Sequence, residues 1–282
     1  MNQTLEINKK LYFLHIPRVG GMAITHMVNA TLDTNNIARY PSKFFVNNLN
    51  LEQPLNFNNY LFIQRHLGTY PIGKAKNLDV ACLFRDPLER IVSNFHLAWN
   101  KFIIGNPKYE IFDEIEDKLK YYLIDDEQHK LQNNLQTRYI CNSIEECVAQ
   151  IRFNETPMLK KYTDDFNLID KSTHSWHILN NQTSVEFAKK QIDSFSIIGI
   201  SEKHDDFKNK IKDWFLNNYG LILNDSFVIN KINQTLINYK NKQYLNSDLI
   251  AMLNDNDKKN ILKNNQMDFE IYNYVKEKIN VK

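Results

Sequence analysis

Glycine is scarce in this chain, 7 of 282 residues. Glycine lets backbone take positive φ or approach another group closely. The one place where two stand together, Gly20-Gly21, therefore marks a turn with a purpose. Cysteine is scarcer, at 3 residues. An odd, sparse set of Cys82, Cys141 and Cys147 builds no disulfide framework. Cys82, in an apolar run, reads as a buried small side chain, and a Cys141–Cys147 bridge stays open. No Cys-x-x-Cys or His-Glu-x-x-His spacing is present, so no metal site is expected. Long apolar runs are missing too, and none reaches the about 20 residues of a membrane span. The first ten residues carry no signal-peptide core, so the chain reads as soluble and cytoplasmic. An excess of one charge is also lacking: 35 Lys and Arg against 33 Asp and Glu give +2. That balance gives no broad case for nucleic acid or anionic membrane as a partner. Any anion must be held locally. The Asn-x-Ser/Thr triplets read as chance in an Asn-rich chain.

With 43% apolar and 24% charged residues, the composition is that of an ordinary globular protein. Wholesale disorder and fibrous architecture are excluded. No internal repeat or low-complexity linker divides the chain, so one domain over 1–282 is expected.

Short apolar runs alternate with helical patterns. Lys10 to Ile16 reads as a buried strand, Pro17 to Gly21 as a turn, and Met22 to Leu32 as a helix. Tyr60 to Gln64, Asp79 to Phe84 and Ser196 to Ile200 are further strands. Asp86 is suited as N-cap, Pro87 as first helical residue and Glu89 as capping-box partner of the helix that follows Arg85. Leu88, Ile91, Val92, Phe95 and Trp99 then make one apolar stripe. Tyr109 to Ala149 reads mostly helical, Lys203 to Leu216 as a helix, and Asp257 to Ile279 as a helix or helix pair. The order implies an α/β fold with a central parallel sheet flanked by helices.

Two strand–turn–helix units carry the chemistry. In the first, helix N–H groups and the positive dipole end face the turn, a ready phosphate site. Gly20 and Gly21 admit close approach, and Arg18 adds a forked cation. The plain alternative is a tight turn with Arg18 in solvent. The Gly-x-x-x-x-Gly-Lys-Ser/Thr pattern is absent, which disfavours ordinary nucleoside triphosphate hydrolysis. In the second unit, Arg85 lies where a parallel strand ends, the edge at which open α/β sheets bind ligands. Ser93 falls off the apolar stripe and is placed to share an anion with Arg85. The plain alternative pairs Arg85 with a carboxylate and leaves Ser93 solvated. Arg90 reads as a fold-supporting residue.

Two anion sites on one sheet edge suit a nucleotide with phosphates at both ends. His15-Ile-Pro-Arg-Val-Gly-Gly-Met22 resembles the 5′-phosphosulfate loop of the carbohydrate-type sulfotransferases, His-Ile-Pro-Lys-Thr-Gly-Gly-Thr. Leu83-Phe-Arg-Asp-Pro-Leu-Glu-Arg-Ile-Val-Ser93 resembles their 3′-phosphate motif, Phe-Arg-Asp-Pro-x-x-Arg-x-x-Ser. Weaker similarities follow in order. Phe62-Ile-Gln-Arg-His66 falls where the family has a Gly-His element with a catalytic base. Asn134-Leu-Gln-Thr-Arg138, Ile198-Gly-Ile-Ser-Glu202 and Asp268-Phe-Glu-Ile-Tyr272 resemble later family segments.

The resemblance implies a P-loop-NTPase-like sulfotransferase fold and a donor, 3′-phosphoadenosine 5′-phosphosulfate (PAPS). Arg18, Val19, Gly20, Gly21, Met22, Ala23, Arg85 and Ser93 would hold it, with His66 and Arg18 catalytic. The acceptor would be a hydroxyl or amine of a carbohydrate or small metabolite. Arg18 replaces the family Lys, Val19 and Met22 its two Thr, and Arg65 its Gly. Backbone N–H groups are then left to hold the 5′-phosphate, and Arg18 keeps the charge without donating a proton. Competing expectations are a P-loop-type phosphotransferase and a non-catalytic nucleotide-binding relative. The other histidines have plainer readings. His15 is a hydrogen-bonded core group. His26 and His96 are surface or packing residues, or else line an acceptor pocket. His174 and His177 flank Trp176 in a surface loop.

Overall fold

β1 (Lys10–Leu14) is buried along its whole length. It lies at the centre of a five-stranded sheet ordered β2-β3-β1-β4-β5. The other strands are β2 (Ile37–Arg39), β3 (Phe62–Arg65), β4 (Leu78–Phe84) and β5 (Ile197–Ile200). Every pairing in it is parallel. A strand covered on both faces has no solvent side, which is why Leu-Tyr-Phe-Leu does not alternate with polar residues. The computed structural model describes residues 8–39, 57–65, 69, 71–72, 75–99, 103–125, 133–141, 182–224 and 236–280.

Helices flank the sheet. α1 (Gly21–Thr31) follows β1, and α2 (Pro87–Ala98) follows β4. Then come α3 (Pro107–Glu110), α4 (Ile115–Lys120), α5 (Leu135–Cys141) and α6 (Gln182–Asp193). α7 (His204–Tyr219) follows β5. The chain ends in α8 (Asn246–Met252), α9 (Asp255–Asn264) and α10 (Gln266–Asn280). The expected parallel α/β sheet flanked by helices is present.

Two features differ from expectation. β2 is three residues long and has too little pattern to stand out. An antiparallel hairpin of β6 (Ile237–Tyr239) and β7 (Lys242–Tyr244) was not expected. Its turn residues Lys240 and Asn241 both take positive φ, 46° and 63°, the arrangement of a type I′ turn without its usual Asn-Gly. The expected C-terminal helix pair is present as α9 and α10, with α8 before it, and Asn254 opens α9 by accepting the Asp257 N–H at 2.9 Å.

Two apolar clusters hold these elements. One joins the sheet to α1, α7 and α10 through residues such as Phe13, Ile24, Phe84, Phe207 and Ile271. The other collects the α2 stripe, Ile91, Val92, Phe95 and Trp99, against Leu119, Ile237, Leu249 and Ile261. The chain leaves β1 towards one edge of the sheet and β4 towards the other. A parallel sheet opens a crevice where the direction of winding reverses, at the carboxyl ends of the strands. Here that point lies between β1 and β4.

Candidate functional site

The loop from His15 to Gly20 leaves β1 at this crevice. Gly20 has φ 94° and caps α1. Arg18 has φ 69°, a conformation that costs a non-glycine residue about 1–2 kcal/mol. The loop is held from behind. Arg85 Nη1 donates to the Arg18 carbonyl at 3.2 Å. Ser201 Oγ lies 2.5 Å from the Val19 carbonyl and 3.1 Å from that of Phe84. His204 Nε2 is 3.2 Å from the Gly20 carbonyl. In a trans peptide the C=O and the next N–H point opposite ways. Three tethered carbonyls therefore turn the N–H groups of Val19, Gly20 and Gly21 outward, and these donate to no other group among the described residues.

The end of α1 beneath them is equally open. No side chain caps it, and its first turn holds no acidic residue. The end of α2 is closed by contrast, with Asp86 Oδ1 accepting the Glu89 N–H at 3.0 Å and Pro87 in its first turn. The positive end of α1 is thus available to an anion, and that of α2 is spent on its own cap. Gly21 is required for packing: a Cβ there would lie 2.3 Å from His15 Cδ2. The imidazole is itself stacked on Phe13, ring centres 5.3 Å apart. His15 is therefore a half-buried packing element just beyond the end of β1, not the core group inside the strand that was expected.

The two strand–turn–helix units meet through side chains. Arg18 Nε and Nη2 donate to Ser93 Oγ at 3.1 and 2.9 Å. Ser93 is buried, and its own hydroxyl proton is left for another acceptor. Burial and the facing charge of Arg85 push the Arg18 pKa down to about 10, so it stays protonated at neutral pH. Neither plain alternative describes Arg18 or Ser93, since the Arg18 side chain folds inward. For Arg85 the alternative holds in part: its Nη2 bonds Glu89 Oε2 at 2.8 Å. Glu89 is consequently not the capping-box partner expected. Its carboxylate goes to Arg85, and only its N–H serves the Asp86 cap.

Segments distant in sequence support this arrangement. The Gln136 carboxamide accepts the Arg85 N–H at 3.0 Å and donates to the Arg85 carbonyl at 2.9 Å. Asp268, fully buried, accepts the N–H groups of Gln136 at 3.1 Å and Thr137 at 2.8 Å, and the Thr137 hydroxyl at 2.8 Å. Its own N–H donates to Asn134 Oδ1 at 3.2 Å. Arg90 Nε lies 3.9 Å from Asp268, and both are fully buried, which fits the fold-supporting role expected of Arg90. Burial lowers the Arg90 pKa and brings that of Arg138 to about 9, with Asp268 opposing both shifts. Two buried guanidiniums thus share one carboxylate just behind the loop. Tyr272 donates to Glu202 Oε1 at 2.9 Å, tying the end of β5 to α10. All three weaker motif segments described here, around Asn134, Glu202 and Asp268, converge on the backing of Arg85.

Val19 is buried and Met22 is 46% exposed, so neither side chain offers the loop a hydroxyl. Ala23 is half-buried. His66, Cys147, His174, Trp176 and His177 lie outside the described residues, as does part of 109–149. Cys141 Sγ lies 3.3 Å from the Ser184 carbonyl, and a Cys141–Cys147 bridge involves a residue outside those described. Sequence reasoning missed Gln136, Asp268, Ser201 and His204 as loop supports, because only long-range contacts reveal them. For His96 the sequence left a surface or packing residue and the lining of an acceptor pocket as alternatives. The ring is buried beside the two arginines, which with desolvation lower its pKa to about 4. A depression of about 490 Å³ lined by Lys9, Asp79 and Tyr219 lies at the amino ends of β1 and β4, away from this chemistry. Among the described residues no group of three or more His, Cys, Asp or Glu is placed to hold a metal ion, and no helix is long and apolar enough to cross a membrane. No family model and no curated protein matches the chain.

Proposed function

We propose that this chain is a sulfotransferase that moves a sulfuryl group from PAPS to a hydroxyl or amine of a carbohydrate or small metabolite. One observation carries the proposal. The glycine turn with outward N–H groups and the Arg85–Ser93 unit meet at the winding reversal of the sheet, bridged by Arg18. Two neighbouring guanidiniums, of which Arg85 pairs with the exposed carboxylate of Glu89, favour an anion. The open end of α1 favours a second phosphate. An adenosine carrying phosphates at both ends fits that pair. The resemblance of both motifs to the carbohydrate-type sulfotransferases supplies the sulfuryl chemistry, and with it the P-loop-like fold name.

The bound donor supplies an activated sulfuryl group. Arg85 and Ser93 hold the 3′-phosphate and set the position of the donor. Arg18 and the N–H groups of Val19, Gly20, Gly21 and Met22 hold the 5′-phosphate, while the Ala23 N–H donates to the Gly20 carbonyl at 3.4 Å. As the sulfur–oxygen bond to it breaks, they neutralise charge on the departing oxygen. His66 would take the acceptor proton as sulfur bonds to the acceptor oxygen or nitrogen, a role worth about 10²–10⁴-fold. The free, buried thiol of Cys82 fits a reducing, cytoplasmic setting.

The test is transfer from sulfur-labelled PAPS to a panel of sugars and small hydroxyl and amine acceptors. Calorimetry with the product, adenosine 3′,5′-bisphosphate, accompanies it. Arg85→Ala is expected to weaken bisphosphate binding by at least about tenfold, the worth of a charged hydrogen bond. Unchanged affinity overturns the site. Binding without transfer to any acceptor indicates the non-catalytic relative, which the missing loop hydroxyls at Val19 and Met22 would explain. Dependence on ATP in place of PAPS indicates a phosphotransferase.

A further inference from the structure

His96 stands three residues beyond Ser93 on α2. Residues so spaced share a helix face, with Cβ atoms about 5–6 Å apart. The side chain is 3% exposed, yet among the described residues neither Nδ1 nor Nε2 has a hydrogen-bond partner. Buried polar groups are bonded in the great majority of cases. A ring with both nitrogens idle marks a position whose partner arrives from outside. The surroundings say what kind. The charges that act on the ring are those of Arg18 and Arg85, both cationic, with Arg18 the stronger. They exclude a cation and draw in an anion. They also keep the ring neutral, so it carries one N–H to donate.

We propose that His96 is a direct ligand of the phosphomonoester held by Arg85 and Ser93, donating its ring N–H to a phosphate oxygen. The proposal rests on the anion site of the preceding section and adds a residue to it. Access comes from Arg18. Its guanidinium is engaged on Ser93 Oγ in the state described, one turn from His96. Moving that guanidinium from Ser93 onto the 5′-phosphate releases the Ser93 oxygen and opens the imidazole to the 3′-phosphate. Arg18 is then a latch over the 3′ subsite as well as the cation of the 5′ subsite. A terminal phosphate satisfies Arg85, Ser93 and His96 together, whereas a ribose hydroxyl cannot. His96 is therefore a residue that selects nucleotides phosphorylated at the 3′ position.

The experiment titrates the full chain with adenosine 3′,5′-bisphosphate, adenosine 5′-monophosphate and inorganic phosphate. It compares the unmodified protein with His96→Phe and His96→Asn, and follows the His96 imidazole by nitrogen-15 NMR. Phosphate is expected to shift the His96 resonance. His96→Phe should weaken bisphosphate binding at least about tenfold and monophosphate binding less than about twofold. His96→Asn, which still carries an N–H donor, should recover part of the loss. If both variants fail to fold, the NMR titration of the unmodified chain decides the contact. Bisphosphate binding that leaves the resonance unmoved overturns the role of His96 and leaves the nucleotide site standing. Phosphate that moves the resonance, with no preference for bisphosphate over monophosphate, keeps the contact and removes the sulfotransferase proposal. Failure to bind any of the three anions removes both.

Discussion

The side chain of Gln136 brackets the backbone of Arg85, accepting its N–H at 3.0 Å and donating to its carbonyl at 2.9 Å. One amide thus satisfies both backbone groups of the residue at which β4 stops and α2 begins. Neither sheet nor helix could do so, since Arg85 belongs to neither. The bracket holds the Arg85 side chain at Arg18 and Glu89.

Replacing Gln136 by Leu, which has similar bulk and no polar atoms, should cost about 1–3 kcal/mol of stability. Two bonds to Arg85 disappear. Urea denaturation measures the loss. Bisphosphate affinity should fall with it, because Arg85 is no longer held at the end of β4. A Gln136→Leu protein with unaltered affinity would show that the bracket serves stability alone.

Gly21→Ala places a methyl group 2.3 Å from His15 Cδ2. The backbone of the loop or the imidazole must then move. The expected result is a loss of about 1–3 kcal/mol, typical of overpacking, together with weakened phosphate binding. Adding His15→Ala makes room for the methyl group. The double variant should therefore lose less than the sum of the two single losses, and a double-mutant cycle by denaturation reads this coupling. Strict additivity would separate His15 from the turn.

Glu89→Gln removes the carboxylate that bonds Arg85 Nη2 at 2.8 Å. The Glu89 side chain is 48% exposed, so the pair is worth at most about 1 kcal/mol of stability. Its carboxylate competes with any anion for the same guanidinium. Bisphosphate and inorganic phosphate should both bind more tightly to the variant, with little change in melting temperature. Weaker binding would mean that Glu89 orients Arg85 and does not compete.

His96 also makes stability depend on pH. Its pKa falls from 6.5 to about 4 on folding, through burial and the charges of Arg18 and Arg85. Between those values the unfolded chain binds a proton that the folded chain refuses. No penalty exists above the unfolded pKa. It grows as pH falls from 6.5 towards about 4 and reaches about 3 kcal/mol. His96→Asn should remove this component. Its stability, compared with that of the unmodified protein, should rise in relative terms on acidification across that window. A constant difference from pH 7 to pH 4 would refute the depressed pKa.

The elements most legible in the residues were those whose signals are local. Lys10–Leu14 and Leu78–Phe84 stand out as apolar runs bounded by a turn and by an Asp-Pro cap. The N-cap role of Asp86 follows from neighbours within one turn. β2 escaped notice because three residues hold no period. The β6–β7 hairpin escaped because Lys240-Asn241 lacks the glycine that signals a type I′ turn.

The site divides along the same line. Gly20-Gly21, Arg18, Arg85 and Ser93 were identifiable as anion-binding types at the ends of strands, since residue chemistry and local spacing survive in one dimension. Their meeting was not legible. Arg18 and Ser93 are 75 positions apart, and Gln136 reaches Asp268 across 132. Contacts of that range depend on strand order, which no local pattern encodes. Glu89 was expected to cap its helix, yet its carboxylate bonds Arg85 four residues before it, a local pairing that was the plain alternative for Arg85. His96 shows the difference most plainly. Its identity as a titratable ring was written in the chain. That the ring is buried, neutral and without a partner beside two guanidiniums came only from packing, because desolvation and Coulomb fields are properties of assembled surroundings.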